Sequence, residues 1–171
     1  LGKDSIDAGV FSLIIGFVLV ILFMFIKYRI FGLVSNISLI ANLFMMVGIL
    51  TILEATLTLP GIAGIILTVG MAVDSNVLIY ERIKEELKTE KTIIHAFDTG
   101  YNKAKITVID ANVTTLIAAV ILFIFGSGPV KGFAVTLGIG IVTTLFSAYF
   151  IARHLTSVIV LNDNKGKYFK L

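Results

Sequence analysis

The feature that most constrains this chain is an apolar run from Gly61 to Tyr80, which begins in a Pro-Gly turn and ends at a dense charge cluster. Roughly 20 helical residues rise about 30 Å, the thickness of the hydrocarbon core of a bilayer. The run contains one ionisable residue, Asp74. A carboxylate at the centre of a bilayer costs on the order of 2.5–3.5 kcal/mol, and such residues are usually functional. The run therefore predicts a membrane-spanning helix with a working carboxylate.

Four further apolar runs have a similar length, and with the first they predict an all-α integral membrane protein with five transmembrane helices. A water-soluble domain of this size would need more charge than 15% of its residues, and the mean hydropathy is +1.02. The five predicted spans are about 10–26, 33–53, 61–80, 105–125 and 130–152.

Positive charge is distributed unevenly between the loops that join these spans. Twelve of the 14 Lys and Arg residues fall on one side of the predicted membrane, and only Lys3 and Lys131 fall on the other. The positive-inside rule then places the start of the chain outside and its end in the cytoplasm. Because nothing in the chain would carry its start outward, we expect at least one more span and an exported domain before Leu1.

Two polar segments flank the fourth and fifth spans on the cytoplasmic side. Residues 89–103 have apolar side chains at helical spacing, which predicts a short amphipathic helix on the membrane surface with Thr89 as its N-cap. Residues 156–171 are predicted to be a basic cytoplasmic tail, so the transmembrane bundle is assigned to residues 1–155.

A second carboxylate, Asp110, is predicted to lie at the same depth as Asp74. Asp74 precedes the charge cluster at Glu81 by seven residues, and Asp110 follows Lys105 by five. Both should therefore lie roughly 7–11 Å below the cytoplasmic boundary. Because low dielectric favours the protonated form of a carboxylate, such a pair could load and release protons as water access changes.

Amide and hydroxyl side chains near the two carboxylates are candidates for polar support of a shared site. Each carboxylate is followed two residues later by an asparagine, Asn76 and Asn112, and Thr114 lies one turn after Asp110. These groups can hydrogen-bond to either protonation state of a carboxyl.

Each candidate residue also has a structural interpretation. Asp74 could have a purely structural role, as a hydrogen-bond partner for a neighbouring helix. Asp110 could cap a helix that starts late, pair with Lys103, or be wetted by the cytoplasm. Asn42, in the second span, is interpreted as an interhelical hydrogen bond, and the small residues from Gly132 to Ser147 as close helix packing.

Several functions are disfavoured by composition. The chain has no Cys and two His, so thiolate and multi-histidine metal sites are not expected. A Gly-rich phosphate-binding loop is also absent from the sequence. We expect no cofactor, no nucleic-acid partner and no enzymatic activity, with the proton as the coupling ion and sodium as the alternative.

Three runs of sequence carry a resemblance to a known family: LTLPGIAGIILTVGMAVDSNVLIYERIKEEL, DANVTTLIAAVILFIFGSGPVKGFAVTLGIGI and YRIFGLVSNISLIANL. The first closely resembles the fourth transmembrane helix of the SecD family of bacterial protein-export subunits. The second resembles the fifth and sixth helices, and the third the link between the second and third. The resemblance extends from about Ile6 to Arg153, with Ser75 replacing a more usual Ala. The related SecF pattern in helix four is different.

The resemblance implies helices 2–6 of a six-helix half of the resistance–nodulation–division (RND) superfamily, which pairs with a pseudosymmetric partner half. It implies a protein of the bacterial inner membrane that acts with SecF, or with the SecF half of a fused SecDF. Together they would use the proton gradient to draw preproteins from the SecYEG channel. The family's proton-relay Asp falls on Asp74, and Asp110 matches its helix-five Asp-x-Asn pattern. The alternatives are the membrane half of an RND lipid or drug exporter and a structural scaffold without proton coupling.

Overall fold

The computed structural model describes residues 2–89 and 92–163, and over these ranges the chain is helical and has no strand. Four helical stretches there are long and apolar enough to cross a membrane. The predicted all-α membrane bundle is confirmed. Four stretches are counted where five spans were expected, because the first two predicted spans both lie in the first stretch. The elements are α1 (Gly2–Ile52), α2 (Leu59–Glu86), α3 (Ile93–Phe125), α4 (Pro129–Phe146), a π-helical turn (Ser147–Ala152) and α5 (Arg153–Asn162).

The first two predicted spans are the two arms of α1, residues 2–28 and 30–52, which fold back on each other at Arg29. Arg29 is the non-helical residue between them, with φ 49° and ψ −114°. Asn36 Nδ2 donates to the carbonyl oxygen of Ile21 at 3.1 Å across the arms. A Cβ on Gly32 would overlap the carbonyl oxygen of Met24. The turn is therefore tight, and a single non-helical residue separates the two arms.

The central helix α2 is held mainly against α4 by residues without bulky side chains. It begins at the N-cap Thr58, whose side chain accepts from the backbone nitrogen of Gly61 at 3.1 Å, and it continues through the charge cluster to Glu86. A Cβ on Gly64 would overlap Thr136. A Cβ on Gly140 would likewise overlap Thr68. The small residues of the last span therefore serve close helix packing, as predicted.

The predicted amphipathic helix is not separate from the fourth span. Helix α3 runs without a break from Ile93, and its N-cap is Thr92 rather than Thr89. Most of the apolar side chains that suggested a membrane-surface face are buried in a core cluster that includes the end of α2. A Cβ on Gly100 would lie 2.8 Å from the Cα of Ile83. The pattern therefore reflects a helix–helix contact; residues 90 and 91 of the predicted helix lie outside the described residues.

The last helical stretch extends beyond the predicted end of the bundle. Thr156 and Val160, in the segment expected to be a tail, are buried. The predicted tail residues 164–171 lie outside the described residues.

A buried hydrogen bond joins α1 to α4. Asn42 Nδ2 donates to Thr144 Oγ1 at 3.1 Å, which confirms the interhelical hydrogen bond expected for Asn42.

Candidate functional site

Asp74 and Asp110 lie at similar heights on two antiparallel helices. Helices α2 and α3 touch where Gly100 meets Ile83. Asp74 precedes Ile83 by nine residues and Asp110 follows Gly100 by ten, so both lie roughly 14–15 Å from this contact along their helices. Met71 of α2 packs with a cluster that contains Ala119 of α3, which confirms that the helices run in opposite directions.

Asp74 faces away from the bundle of this chain. Its side chain is exposed, as is that of Leu67, and a Cβ on Gly70 would have no atom within 4 Å. Gly64 precedes Leu67 by three residues, a spacing that puts both on one side of a helix, but Gly64 is packed against α4. Within the described part of the chain, Asp74 makes no hydrogen bond and no ion pair. This side of α2 therefore divides into a packed part near Gly64 and an open part near Gly70, and Asp74 belongs to the open part.

Asp110 is exposed as well, and two of its structural interpretations are wrong. It cannot cap a helix, because α3 begins at Ile93. It does not pair with Lys103, whose Nζ contacts the carboxylate of Glu86 at 2.9 and 3.0 Å. Thr114 Oγ1 donates to the backbone carbonyl of Asp110 at 2.8 Å, so this hydroxyl does not support the carboxylate.

The two asparagines lie inside the bundle instead of beside the carboxylates. Asn76 and Asn112 are buried, and their amide nitrogens donate to the carbonyl oxygens of Ala72 and Val108, one turn earlier on the same helices. Among the described residues, neither amide oxygen has a hydrogen-bond partner. The structure thus separates outward-facing carboxylates from inward-facing amides.

One end of the bundle, which we call the charged end, contains the side chains of Tyr28, Glu81, Arg82, Glu86 and Lys103. Their contacts join the turn at Arg29 to the end of α2 and to the start of α3. Tyr28 donates to Glu81 at 2.8 Å, and the ammonium of Lys103 holds Glu86, which is only 5% exposed. Arg82 also contacts Glu86, at 2.9 Å. The sequence showed this charge run but not the partners, which lie 17 to 53 residues away.

A polar groove of about 350 Å³ opens between α2 and α3 at the charged end. The groove is lined by Leu78, Glu81, Arg82, Glu85, Lys103, Ala104 and Thr107.

Among residues 2–89 and 92–163, no three His, Asp or Glu side chains come together in a way that could hold a metal ion.

Long apolar helices with buried polar contacts between them define a polytopic membrane protein. Residues 1–162 match the family model for the protein export membrane protein SecD/SecF, C-terminal region. The chain therefore belongs to the SecD/SecF family.

Individual relatives point to the SecD branch of this family. The chain is 52% identical to the protein translocase subunit SecD of Magnetococcus marinus over 95% of its own length, and 54% identical to that of Rickettsia prowazekii over 99%. These alignments cover 31% and 32% of the relatives, so the chain spans about a third of their length. The match favours the protein-export family over the lipid or drug exporter considered from the sequence.

Solved structures agree with this assignment. The crystal structure of SecDF, a translocon-associated membrane protein from Thermus thermophilus, has a TM-score of 0.89 and 44% sequence identity to this chain. SecDF in a super-membrane-facing form has a TM-score of 0.86 at the same identity. Each match covers 93% of this chain and 22% of the SecDF chain.

Proposed function

We propose that this chain is the membrane part of a proton-driven accessory subunit of the Sec export machinery, in which Asp74 carries the proton. The intact protein would assist the translocation and release of preproteins. Its partners would be SecF, or the SecF half of a fused SecDF, together with the SecYEG channel and the preprotein. No covalent chemistry is needed for this role, so we propose that the protein is not an enzyme and uses no cofactor.

The observation that supports this proposal most directly is the position of Asp74 on the open face of α2. A carboxylate is too costly to leave in contact with lipid tails, and intramembrane acidic residues almost always face a bundle interior or a water-filled cavity. The exposed side of Gly70 on the same face gives room for a helix that this chain does not supply. A second membrane half seated there would enclose the carboxylate.

The distribution of charge supports an orientation for this assembly. The turn at Arg29, the end of α2 and the start of α3 meet at the charged end. We propose that this end faces the cytoplasm of a bacterial inner membrane, in agreement with the positive-inside rule. The start of α1 would then lie on the outer side. Each proton that crossed would contribute about 2.3 kcal/mol per 100 mV of membrane potential.

The proposal is tested by Asp74→Asn in the full-length protein, which keeps the shape of the side chain but cannot release a proton. We expect preprotein release to lose its dependence on the proton gradient, with unchanged membrane levels and unchanged assembly with the partner. Release is measured in membrane vesicles with and without a protonophore. Replacing protons by sodium in the gradient tests the alternative coupling ion.

The matched control is Asp98→Asn, which makes the same chemical change outside the apolar span. Asp98 is exposed near the charged end and lies 3.7 Å from Arg153. We expect this variant to release preproteins at the normal rate. Normal release by Asp74→Asn would overturn proton coupling through this residue and favour the structural scaffold.

A further inference from the structure

The last helical stretch contains a π-helical turn, Ser147–Ala152, between the α-helical segments α4 and α5. A π-helical turn closes its hydrogen bond five residues on instead of four, so it holds one residue more than an α-helical turn. Such turns are rare, and they lie frequently at functional sites. The proposed function gives this turn no role.

The turn lies at the height of Asp74. Helices α2 and α4 run in the same direction, and a Cβ on Gly140 of α4 would overlap Thr68 of α2. Asp74 follows Thr68 by six residues, and Ser147 follows Gly140 by seven. Buried residues of the turn and of this part of α2 share one core cluster, namely Ala148, Ala72 and Val73. The segment of α2 that carries Asp74 therefore packs with its inward face against the turn.

A side chain of α1 holds the turn in its π-helical form. Ser38 Oγ donates to the backbone carbonyl oxygen of Ser147 at 3.0 Å, and both residues are buried. A side chain that enters the hydrogen-bond ladder of a helix is a usual cause of an irregular turn. The Ser38 hydroxyl therefore stabilises the π-helical form relative to an α-helical one.

The sequence after the turn fits a second register. If the turn became α-helical, every later residue would advance by one place, which is about 100° of rotation and about 1.5 Å of rise. Val160, which is 4% exposed, would leave the core, and Ile159 would take its place. Leu155 would likewise replace the buried Thr156. Both buried places would then hold apolar side chains, so the core would stay filled.

The charged end loses little in this exchange. Arg153, the first residue of α5, has its guanidinium 3.7 Å from the carboxylate of Asp98 and 5.6 Å from the ring centre of Tyr101. Ala152 would take its place, so both contacts would be lost. The ion pair is exposed, and exposed pairs contribute little to stability. The two registers can therefore lie close in free energy, which a switch requires.

We propose that the π-helical turn is a register switch, in which a change of charge on Asp74 moves the inward face of α2 against the turn and releases one residue into α5. The inference rests on the proposed function for its trigger and goes beyond it by assigning the element that moves. Helix α5 would rotate and present a different set of side chains at the charged end. Ser38 is the positioning residue that holds the resting register.

The switch is tested by the accessibility of single cysteines in α5 of the full-length protein, in inverted membrane vesicles with and without a proton gradient. This chain has no native Cys. Val160→Cys reports the register, because residue 160 would move from the core to the place of Leu161, which is 62% exposed. Leu161→Cys is the matched control, because it would move to the place of Asn162, which is exposed as well. A membrane-impermeant maleimide is added on the cytoplasmic side.

Without a gradient, we expect Val160→Cys to react at least about tenfold more slowly than Leu161→Cys, because the reactive thiolate forms only where water reaches it. With a gradient, its rate should rise at least about threefold as the population of the second register increases. Leu161→Cys should react at the same rate in both conditions. Equal rates for the two cysteines without a gradient would overturn the switch, as would a Val160→Cys rate that is independent of the gradient.

Ser38→Ala tests the contact that holds the turn. This exchange should raise the rate of Val160→Cys without a gradient, because the π-helical form loses its donor from α1. The matched control is Ser12→Ala in the same helix, whose hydroxyl donates to the carbonyl oxygen of Ala8 within α1. It should leave the rate unchanged. Equal rates of Val160→Cys in the two backgrounds would overturn the role of Ser38 as the positioning residue.

Deletion of Phe150 removes the extra residue of the turn and leaves α5 in its present place. We expect preprotein release to lose its stimulation by the proton gradient, while Val160→Cys stays slow in both conditions. Phe150→Ala keeps the length of the turn and removes only a ring that is 65% exposed, so it should export normally. Gradient-stimulated release by the deletion variant would overturn the switch. If the deletion variant does not accumulate in the membrane, the labelling rates of Val160→Cys and Leu161→Cys still decide.

Failure of the switch can be distinguished from failure of the proposed function. If Asp74→Asn exports normally, the proposed function fails, and the effect of Ser38→Ala on Val160→Cys still shows whether the turn has two registers. If Asp74→Asn blocks release while the rate of Val160→Cys is independent of the gradient, the proposed function stands and the switch is wrong.

Discussion

The two faces of α2 differ in how much of their packing this chain supplies. On the inward face, Gly64 and Thr68 interlock with Thr136 and Gly140 so closely that added carbon atoms would overlap their neighbours. On the outward face, the side of Gly70 is open and Asp74 is uncovered. Small residues serve opposite purposes on the two faces. The inward ones pack against helices of this chain, and the outward one leaves space that the proposed partner half would fill.

The largest effect is expected from filling the inward face. Gly140→Leu would drive a side chain into Thr68, because a Cβ alone already overlaps it. We expect a loss of at least about 1–3 kcal/mol of stability, the usual result of overpacking, or failure to accumulate in the membrane. The measurement is the thermal unfolding midpoint of the full-length protein in detergent.

Its matched control is Gly70→Leu, the same exchange on the outward face. We expect this variant to keep the unfolding midpoint of the isolated protein while it weakens association with the partner half in co-purification. A similar loss of stability in both variants would show that the two faces of α2 do not differ in how closely this chain packs against them.

An intermediate effect is expected from Asn42→Ala, which removes a buried contact between α1 and α4. Its amide donates to Thr144 Oγ1, and interhelical hydrogen bonds of this kind contribute about 0.6–1.7 kcal/mol in membranes. We expect a modest fall in the unfolding midpoint and normal proton dependence of release. A complete loss of folding would show that the inward polar contacts matter more than the glycine packing.

The smallest effect is expected from Ser75→Ala beside the carboxylate. The Ser75 hydroxyl donates to the carbonyl of Met71 at 2.9 Å, within its own helix. Such back-bonding adds little to stability, so the change should stay within about 0.5 kcal/mol. Preprotein release should be unchanged. A clear loss of release would give Ser75 a part in the chemistry of Asp74 and would extend the outward site onto the inward face.

The sequence by itself determined the helices and the height of the carboxylates. Apolar runs of bilayer length fix how many residues lie between the two interfaces, and the charges at their ends fix where each run stops. Asp74 and Asp110 could therefore be placed at one depth. The hydrogen bond of Asn42 could also be predicted, because an amide in an apolar span needs a partner.

Only the tertiary structure decided the turn at Arg29, the continuity of α3 and the direction in which each polar side chain faces. Asp74 faces outward and Asn76 inward, although they are two residues apart on one helix. In water, hydrophobic periodicity would indicate which face is buried. In a membrane the surroundings are as apolar as the interior, so the rotation of a helix is set by the close fit of small residues against its neighbours. That fit depends on the positions of all the helices together.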